Sequence, residues 1–296
     1  INHSKIDEAF SRASKRPGVS AEMERCLNLV GVAGLVNLLP LEPSKVIIRR
    51  VNGLELSADF FLYDLKTDDS ELLLRAGERA TPGLFHPGNG KLLTRNDLES
   101  EGSDEYEQRI LILNEESGDF EVHDKLTTRL TERYSISIVG RDDASGKYYV
   151  LTDQFSDLVQ AWMYDPKKRE FDPEPLVAHG KFSIAGLTFG NQKSNFNKLL
   201  GFTVAGPNYE TTYVDAEMRS IHEGLKQAYK GQDVFITDYN DGLSRVLFMT
   251  ESSNHPPAYH LLIDRKSVKT LGSQRSWLEN TNFSKEKWVN YTARDG

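Results

Sequence analysis

Three observations predict an all-β fold, a β-propeller of four-stranded blades. The first is a five-residue run that occurs five times: FFLYD ending at Asp64, ILILN at Asn114, AWMYD at Asp165, TTYVD at Asp215 and HLLID at Asp264. The steps between those final residues are 50, 51, 50 and 49. The second is a short apolar run ahead of each copy, opened by Lys45, Lys91, Lys147, Lys198 or Arg245 and lying 19, 23, 18, 17 and 19 positions before it. The third is turn chemistry rich in Gly, Pro, Asp, Asn and Ser between the runs. A repeat near 50 residues points to a propeller or solenoid. Each unit then packs mainly on its neighbours, so 296 residues need no single large core.

In chain order, residues 1–24 read as a short helix or the remnant of a truncated blade, since Ile6, Phe10 and Ala13 have loose helical spacing that Arg16 and Pro17 close. Strand patterning starts at Arg25 with RCLNLVGV and GLVNLLPL. Val46–Val51, Asp59–Asp64 and SELLLR are three strands of the first blade, with LKTDDS as the turn between the last two. In the second unit HPGNG is a tight turn, because Gly88 and Gly90 can take positive φ. GKLL then opens its second strand, and the loop NDLESEGSDEYEQ accounts for the long 23-residue spacing. The third unit repeats the turn chemistry in GRDDASGKYYV, and Pro166 follows a strand end where a missing N–H costs no ladder bond. The fourth unit departs: Met218, Ile221, Leu225 and Ala228 predict a helix near 216–230 that stops at Gly231 and stands beside or replaces an outer strand. The fifth unit, DVFITDYNDGLSRVLFMTE with PPAYHLLIDRKSVKTL, is the clearest, and KEKWVNYTARDG reads as a short strand before Asp-Gly. The repeated Asp or Asn is explained by structure: a short side-chain oxygen at a strand end accepts backbone N–H bonds from the following turn.

Net charge is −8 with no basic patch, which argues against nucleic acid as a partner. No apolar run is long enough for a membrane-spanning helix. Cys26 is the single cysteine, so no internal disulfide can form and the compartment, cytoplasmic or periplasmic, stays open. The start at Ile1 gives the expectation of a piece of a longer product.

No catalytic, cofactor-binding or metal-binding residue is assigned. The chain has no G-x-S-x-G elbow, H-E-x-x-H, Walker loop or G-x-G-x-x-G. His255 and His260 are five apart across two prolines, which fits neither a helical nor a strand face for a metal. The acidic residues Asp97, Glu99, Glu101, Asp104, Glu105 and Glu107 read as a solvated loop, with an electrostatic lip for cationic or free-amine ligands as the functional alternative. Glu115 and Glu116 lie in the turn NEESGDF, and their likeness to a paired-glutamate amine anchor is superficial.

Residues 215–296 resemble the end of the propeller domain in prolyl oligopeptidase-family serine peptidases, in the dipeptidyl- and acylaminoacyl-peptidase-like branch. The resemblance lies in Asp215 with a helix after it, VFITDYNDGLSRVLFMTES, Pro256–Pro257 with Tyr259, the strand end at Asp264, and VNYTARDG at 289–296. VNLLPLEPSKVIIRR with FFLYDLKT resembles an earlier blade, so about 25–296 is covered. The resemblance implies a propeller over 25–288 and the start of a linker at 289–296 leading to an α/β-hydrolase domain of the same parent chain. It also implies a lid that filters peptide substrates by size, and a chain inactive alone because the nucleophile, base and oxyanion hole lie elsewhere. Family propellers commonly have about seven blades, whereas five copies are legible here, so self-association through exposed blade edges is expected. The competing readings are a stand-alone propeller that binds a protein or peptide, although no Trp-Asp dipeptide occurs, and a metal-dependent lactonase-like propeller.

Overall fold

The computed structural model describes residues 33–52, 57–76, 79–100, 106–129, 131–278, 281, 283–284, 286–289, 291–292 and 294. The sequence expectations for 1–24, for RCLNLVGV and for Glu101, Asp104 and Glu105 lie outside them. The chain divides into two compact units, residues 1–154 with 162–174 and residues 155–161 with 175–296.

Among the described residues the first unit holds three antiparallel sheets, each a meander in chain order. The first is β1 (Ala33–Leu38), β2 (Lys45–Asn52), β3 (Ser57–Asp64) and β4 (Ser70–Ala76). The second is β5 (Ala80–Pro82), β6 (Thr94–Ser100), β7 (Tyr106–Leu113) and β8 (Phe120–Arg129), and the third is β9 (Ile136–Arg141), β10 (Tyr148–Thr152), β11 (Gln160–Asp165) and β12 (Glu170–Phe171). In the second unit β13 (Ile184–Phe189), β14 (Leu199–Ala205) and β15 (Tyr209–Tyr213) form a three-stranded sheet. Helix α1 (Ala216–Ala228) follows where a fourth strand would stand, and β16 (Asp233–Tyr239), β17 (Arg245–Ser252), β18 (His255–Ile263) and β19 (Ser267–Ser273) complete the last sheet. Among the described residues the fold is therefore all-β, built of propeller blades with one α-helix.

Buried apolar runs explain these elements. All five residues of β10 are buried, as are Ile110–Leu113 of β7, which suits strands covered on both faces. Leu93, just ahead of β6, and Ile110, Ile112 and Leu126 of the second sheet pack with Ile136, Tyr148, Val150 and Tyr164 of the third. In the second unit Leu200 and Tyr213 meet Val246, Phe248 and Leu262 around Met218, Ile221 and Leu225 of α1. The helix buries Met218, Ile221, His222 and Leu225; Ala228 is exposed, so His222 fills out the stripe. Asp215 caps it, its carboxylate accepting the Met218 N–H at 2.9 Å, and Gly231 follows at φ +89°.

One six-residue turn recurs five times in the first unit, at 64–69, 86–91, 114–119, 142–147 and 165–170. In the first four, the N–H of the first residue donates to the carbonyl of the sixth, and the N–H of the fifth donates to the carbonyl of the first. The fifth residue is left-handed: Asp68 (φ 61°), Gly90 (74°), Gly118 (81°), Gly146 (73°) and Arg169 (57°). The first side chain accepts the N–H groups of the third and fourth residues at Asp64, His86, Asn114, Asp142 and Asp165. Thr67, Asn89, Ser117 and Ser145, in the fourth place, accept the N–H of the sixth. The structural reading of the repeated Asp thus holds at 64, 114, 165 and 215. It fails at Asp264, which is itself left-handed (φ 52°) and binds Arg245 at 2.8 Å.

Four sequence expectations need correction. GKLL does not open β6, which starts at Thr94. The Leu84 N–H donates to Thr94 Oγ1 at 2.7 Å and the Leu93 N–H to the Leu84 carbonyl, so Leu92 and Leu93 are core residues ahead of the ladder. Counted from the first strand residue, Thr94 to Asn114 is 20 positions against 19 for Lys45 to Asp64, so the long spacing arises before the strand rather than in the acidic loop. In the HPGNG turn Gly90 alone takes a positive φ, because the left-handed place is the fifth. KEKWVNYTARDG contains no strand among its described residues, and Trp288, Val289 and Tyr291 are 57%, 73% and 86% exposed.

His123, His222 and His260 are buried. His222 Nε2 meets the Val234 carbonyl at 3.0 Å, and His260 lies between the hydroxyls of Thr250 and Thr270 at 3.1 Å each. Burial pushes all three imidazoles below the ordinary value of 6.5 and keeps them neutral. The unfolded chain therefore binds more protons than the folded one as pH falls below about 6.5, and stability drops with it. Asp233, pushed up by burial, acts in the opposite sense nearer the carboxylate range. Urea midpoints are expected to fall between pH 7.5 and 5.5, and to fall less when His222 or His260 is replaced by Gln.

The recurring turn gives a second prediction. Gly118→Ala places its Cβ in open space, so it carries only the left-handed backbone cost, about 1 kcal/mol. Gly224→Ala, also in open space but mid-helix, should stabilise by about 0.5–1 kcal/mol. Urea denaturation of the two variants should shift the midpoint in opposite directions.

Candidate functional site

Asp97, Glu99 and Glu107 lie on the paired strands β6 and β7 rather than in a free loop. Asp97 pairs across the ladder with Arg109, and Glu99 with Glu107. Arg95 binds Asp97 through two bonds of 2.8 and 2.6 Å, and Arg109 binds Glu107 at 3.0 Å with Arg129 at 3.5 Å. Hydrogen bonds from Arg109 and Arg129 hold Glu107 below the usual carboxylate range against the desolvation it suffers. Two carboxylates of the expected lip are thus engaged by arginine, which weakens its field. The signal lay in strand periodicity: Arg95 and Asp97, like Glu107 and Arg109, are two apart and share a strand face.

Among the described residues the histidines do not converge. His86 and His179 use Nδ1 to accept backbone N–H groups of their own turns, His255 is exposed at the start of β18, and His260 is buried within its sheet. Among the described residues no group of three or more His, Cys, Asp and Glu could hold a metal ion.

The first unit has a cleft of about 610 Å³. Three copies of the recurring turn wall it: Asn114–Glu116, Ala144–Gly146 and Asp165–Lys167. Its charges are mostly paired. Arg141 binds Glu115 through bonds of 3.3 and 3.0 Å. Arg169 binds Glu121 at 2.6 Å and the Val122 carbonyl at 3.2 Å, and Glu121 also accepts from Asn114 Nδ2 at 2.7 Å. Hydrogen bonding by Asn114, and then by Arg169, holds Glu121 below the usual range. Glu115 is therefore an ion-pair partner of a neighbouring blade, while Glu116 faces the cleft.

Beneath the turns lies His123, 3% exposed, with Nδ1 2.9 Å from Tyr164 Oη. Tyr164 is fully buried and pushed up to about 12 by burial, so its hydroxyl stays protonated and needs an acceptor. Nδ1 is the acceptor present, which places the imidazole proton on Nε2. Sequence reading passed over His123, because nothing in EVHDK marks it; the partner lies 41 residues away.

The second unit has a polar groove of about 890 Å³ between the 207–209 turn, the end of α1, the 251–255 turn, Glu286 and Trp288. Asp233 is held there by Asn208 at 3.2 Å.

No protein-family model matches the chain, and no curated protein sequence matches it. Solved structures similar to it include TolB from Acinetobacter baumannii, with a TM-score of 0.44 and 13% identity over 82% of this chain and 55% of that one. The β-propeller domain of the trilobed protease from Pyrococcus furiosus gives 0.39 and 11% over 82% and 70%. The acylaminoacyl peptidase of Pyrococcus horikoshii gives 0.37 and 12% over 83% and 46%. The chain thus spans about half the length of TolB and of that peptidase, and the similar structures include propeller domains of peptidases.

Proposed function

We propose that residues 25–288 form the non-catalytic propeller of a serine peptidase, and that 289–296 begin the linker to an α/β-hydrolase domain of the same polypeptide. The propeller caps the active site and admits peptides while excluding folded proteins. The observation that carries this reading is the run of blades leading into a terminal phrase that resembles the family's crossing into its catalytic domain. A ring of blades leaves a narrow axial channel, and a lid of that kind keeps bulk water from the hydrolase cleft. Self-association belongs to the same reading: β19 is an edge strand with Val268 and Leu271 41% and 52% exposed, although Lys269 between them opposes edge pairing. A monomeric mass by light scattering would remove that element.

The test is to read the coding frame past Gly296 and assay its full product. A G-x-S-x-G after a predicted strand, with later Asp and His, is expected, together with cleavage of short peptides and not of folded proteins. A stop codon after Gly296 would overturn the proposal and leave a stand-alone protein- or peptide-binding propeller. Equal cleavage of folded proteins would overturn the size filter alone.

A further inference from the structure

We propose that the cleft between the second and third sheets binds the zwitterion of a short peptide. Glu116 would take its ammonium group, Lys167 its carboxylate, and His123 Nε2–H a peptide carbonyl.

The argument starts from which groups are already engaged. The guanidiniums of Arg141 and Arg169 hold Glu115 and Glu121, and the Asp165 carboxylate accepts the N–H groups of Lys167 and Lys168. Glu116, Lys167 and His123 are three further polar groups on the cleft wall. Among the described residues, Glu116 and Lys167 have no ion-pair partner, and His123 Nε2 has no hydrogen-bond partner. Glu116 and Lys167 are exposed turn residues, whereas His123 is a nearly fully buried donor whose direction Tyr164 fixes.

The three groups ask for different complements. Glu116 needs a cation, Lys167 an anion, and a neutral imidazole N–H a carbonyl or similar acceptor. The other lining charges are the pairs Arg141–Glu115 and Arg169–Glu121 and the carboxylate of Asp165, so four carboxylates face three cations and the slight negative excess disfavours a dianion. A molecule with an ammonium group, a carboxylate and an amide carbonyl satisfies all three, and a short peptide is the simplest such molecule. A volume of about 610 Å³ falls in the range of small-ligand sites. The inference rests on the cleft alone, so it survives a stop codon after Gly296.

The experiment is a titration of this chain with triglycine, N-acetyl-triglycine and triglycinamide, read by calorimetry and by the imidazole NMR signals of His123. Triglycine is expected to bind and to shift the His123 signals, and each blocked peptide to bind about tenfold or more weakly. Glu116→Ala should bind triglycine and its acetyl form alike; Lys167→Ala should no longer distinguish triglycine from its amide. Both residues are exposed, and an unchanged melting temperature would show the fold intact. Absence of binding at about 10 mM triglycine, equal binding of the blocked forms, or binding that leaves His123 unmoved would each overturn the proposal.

Discussion

The first unit depends on one constraint: a strand must reverse within six residues without leaving backbone N–H groups unpaired. A side-chain acceptor in the first place satisfies two of them, and a left-handed fifth residue closes the turn. Two hydrogen bonds of this kind contribute about 1 kcal/mol each, together the same order as burying one Ile side chain. Their weight lies in register. A strand that ends one residue late presents every side chain to the opposite face, and β10, buried along its whole length, has no polar face to spare. The turn therefore fixes which residues meet in the cluster of Ile110, Ile112, Tyr148, Val150 and Tyr164.

Much of this was legible in the sequence, for a physical reason. Strands buried on both faces read as apolar runs, and the turn needs small polar residues in fixed places, so both recur at one period. DLKTDD, HPGNGK, NEESGD and DDASGK share an acceptor first, a Thr, Asn or Ser fourth, and a Gly or Asp fifth. The helix was legible because Met218, Ile221 and Leu225 share a face after a capping Asp215. Lys91 misled because a basic residue after a turn marks the turn end, not the ladder start, and Thr94 draws the chain back to Leu84 before β6 begins.

The cleft was not legible, because its interactions join residues far apart in sequence. Arg141 reaches back 26 positions to Glu115, Arg169 reaches back 48 to Glu121, and Tyr164 meets His123 across 41. No local pattern encodes such pairs; they exist because successive blades stack. The same holds for the acidic hairpin, where Arg129 reaches Glu107 only through the β7–β8 ladder.

The turn also separates what must be kept from what can vary. Places one, four and five carry the acceptors and the left-handed backbone in most copies, whereas places two and three give only backbone to the turn. Those two places hold Leu65 and Lys66, Pro87 and Gly88, Glu115 and Glu116, Asp143 and Ala144, and Pro166 and Lys167. A scaffold that repeats one turn thus offers pairs of positions where charge can change without loss of the hydrogen bonds that form the turn. Stacking brings the pairs of neighbouring blades together, so Glu116 of one copy and Lys167 of another line a single cleft over a buried imidazole. Chemistry on such a frame comes from the variable places of the turns, and the constant places hold them in position.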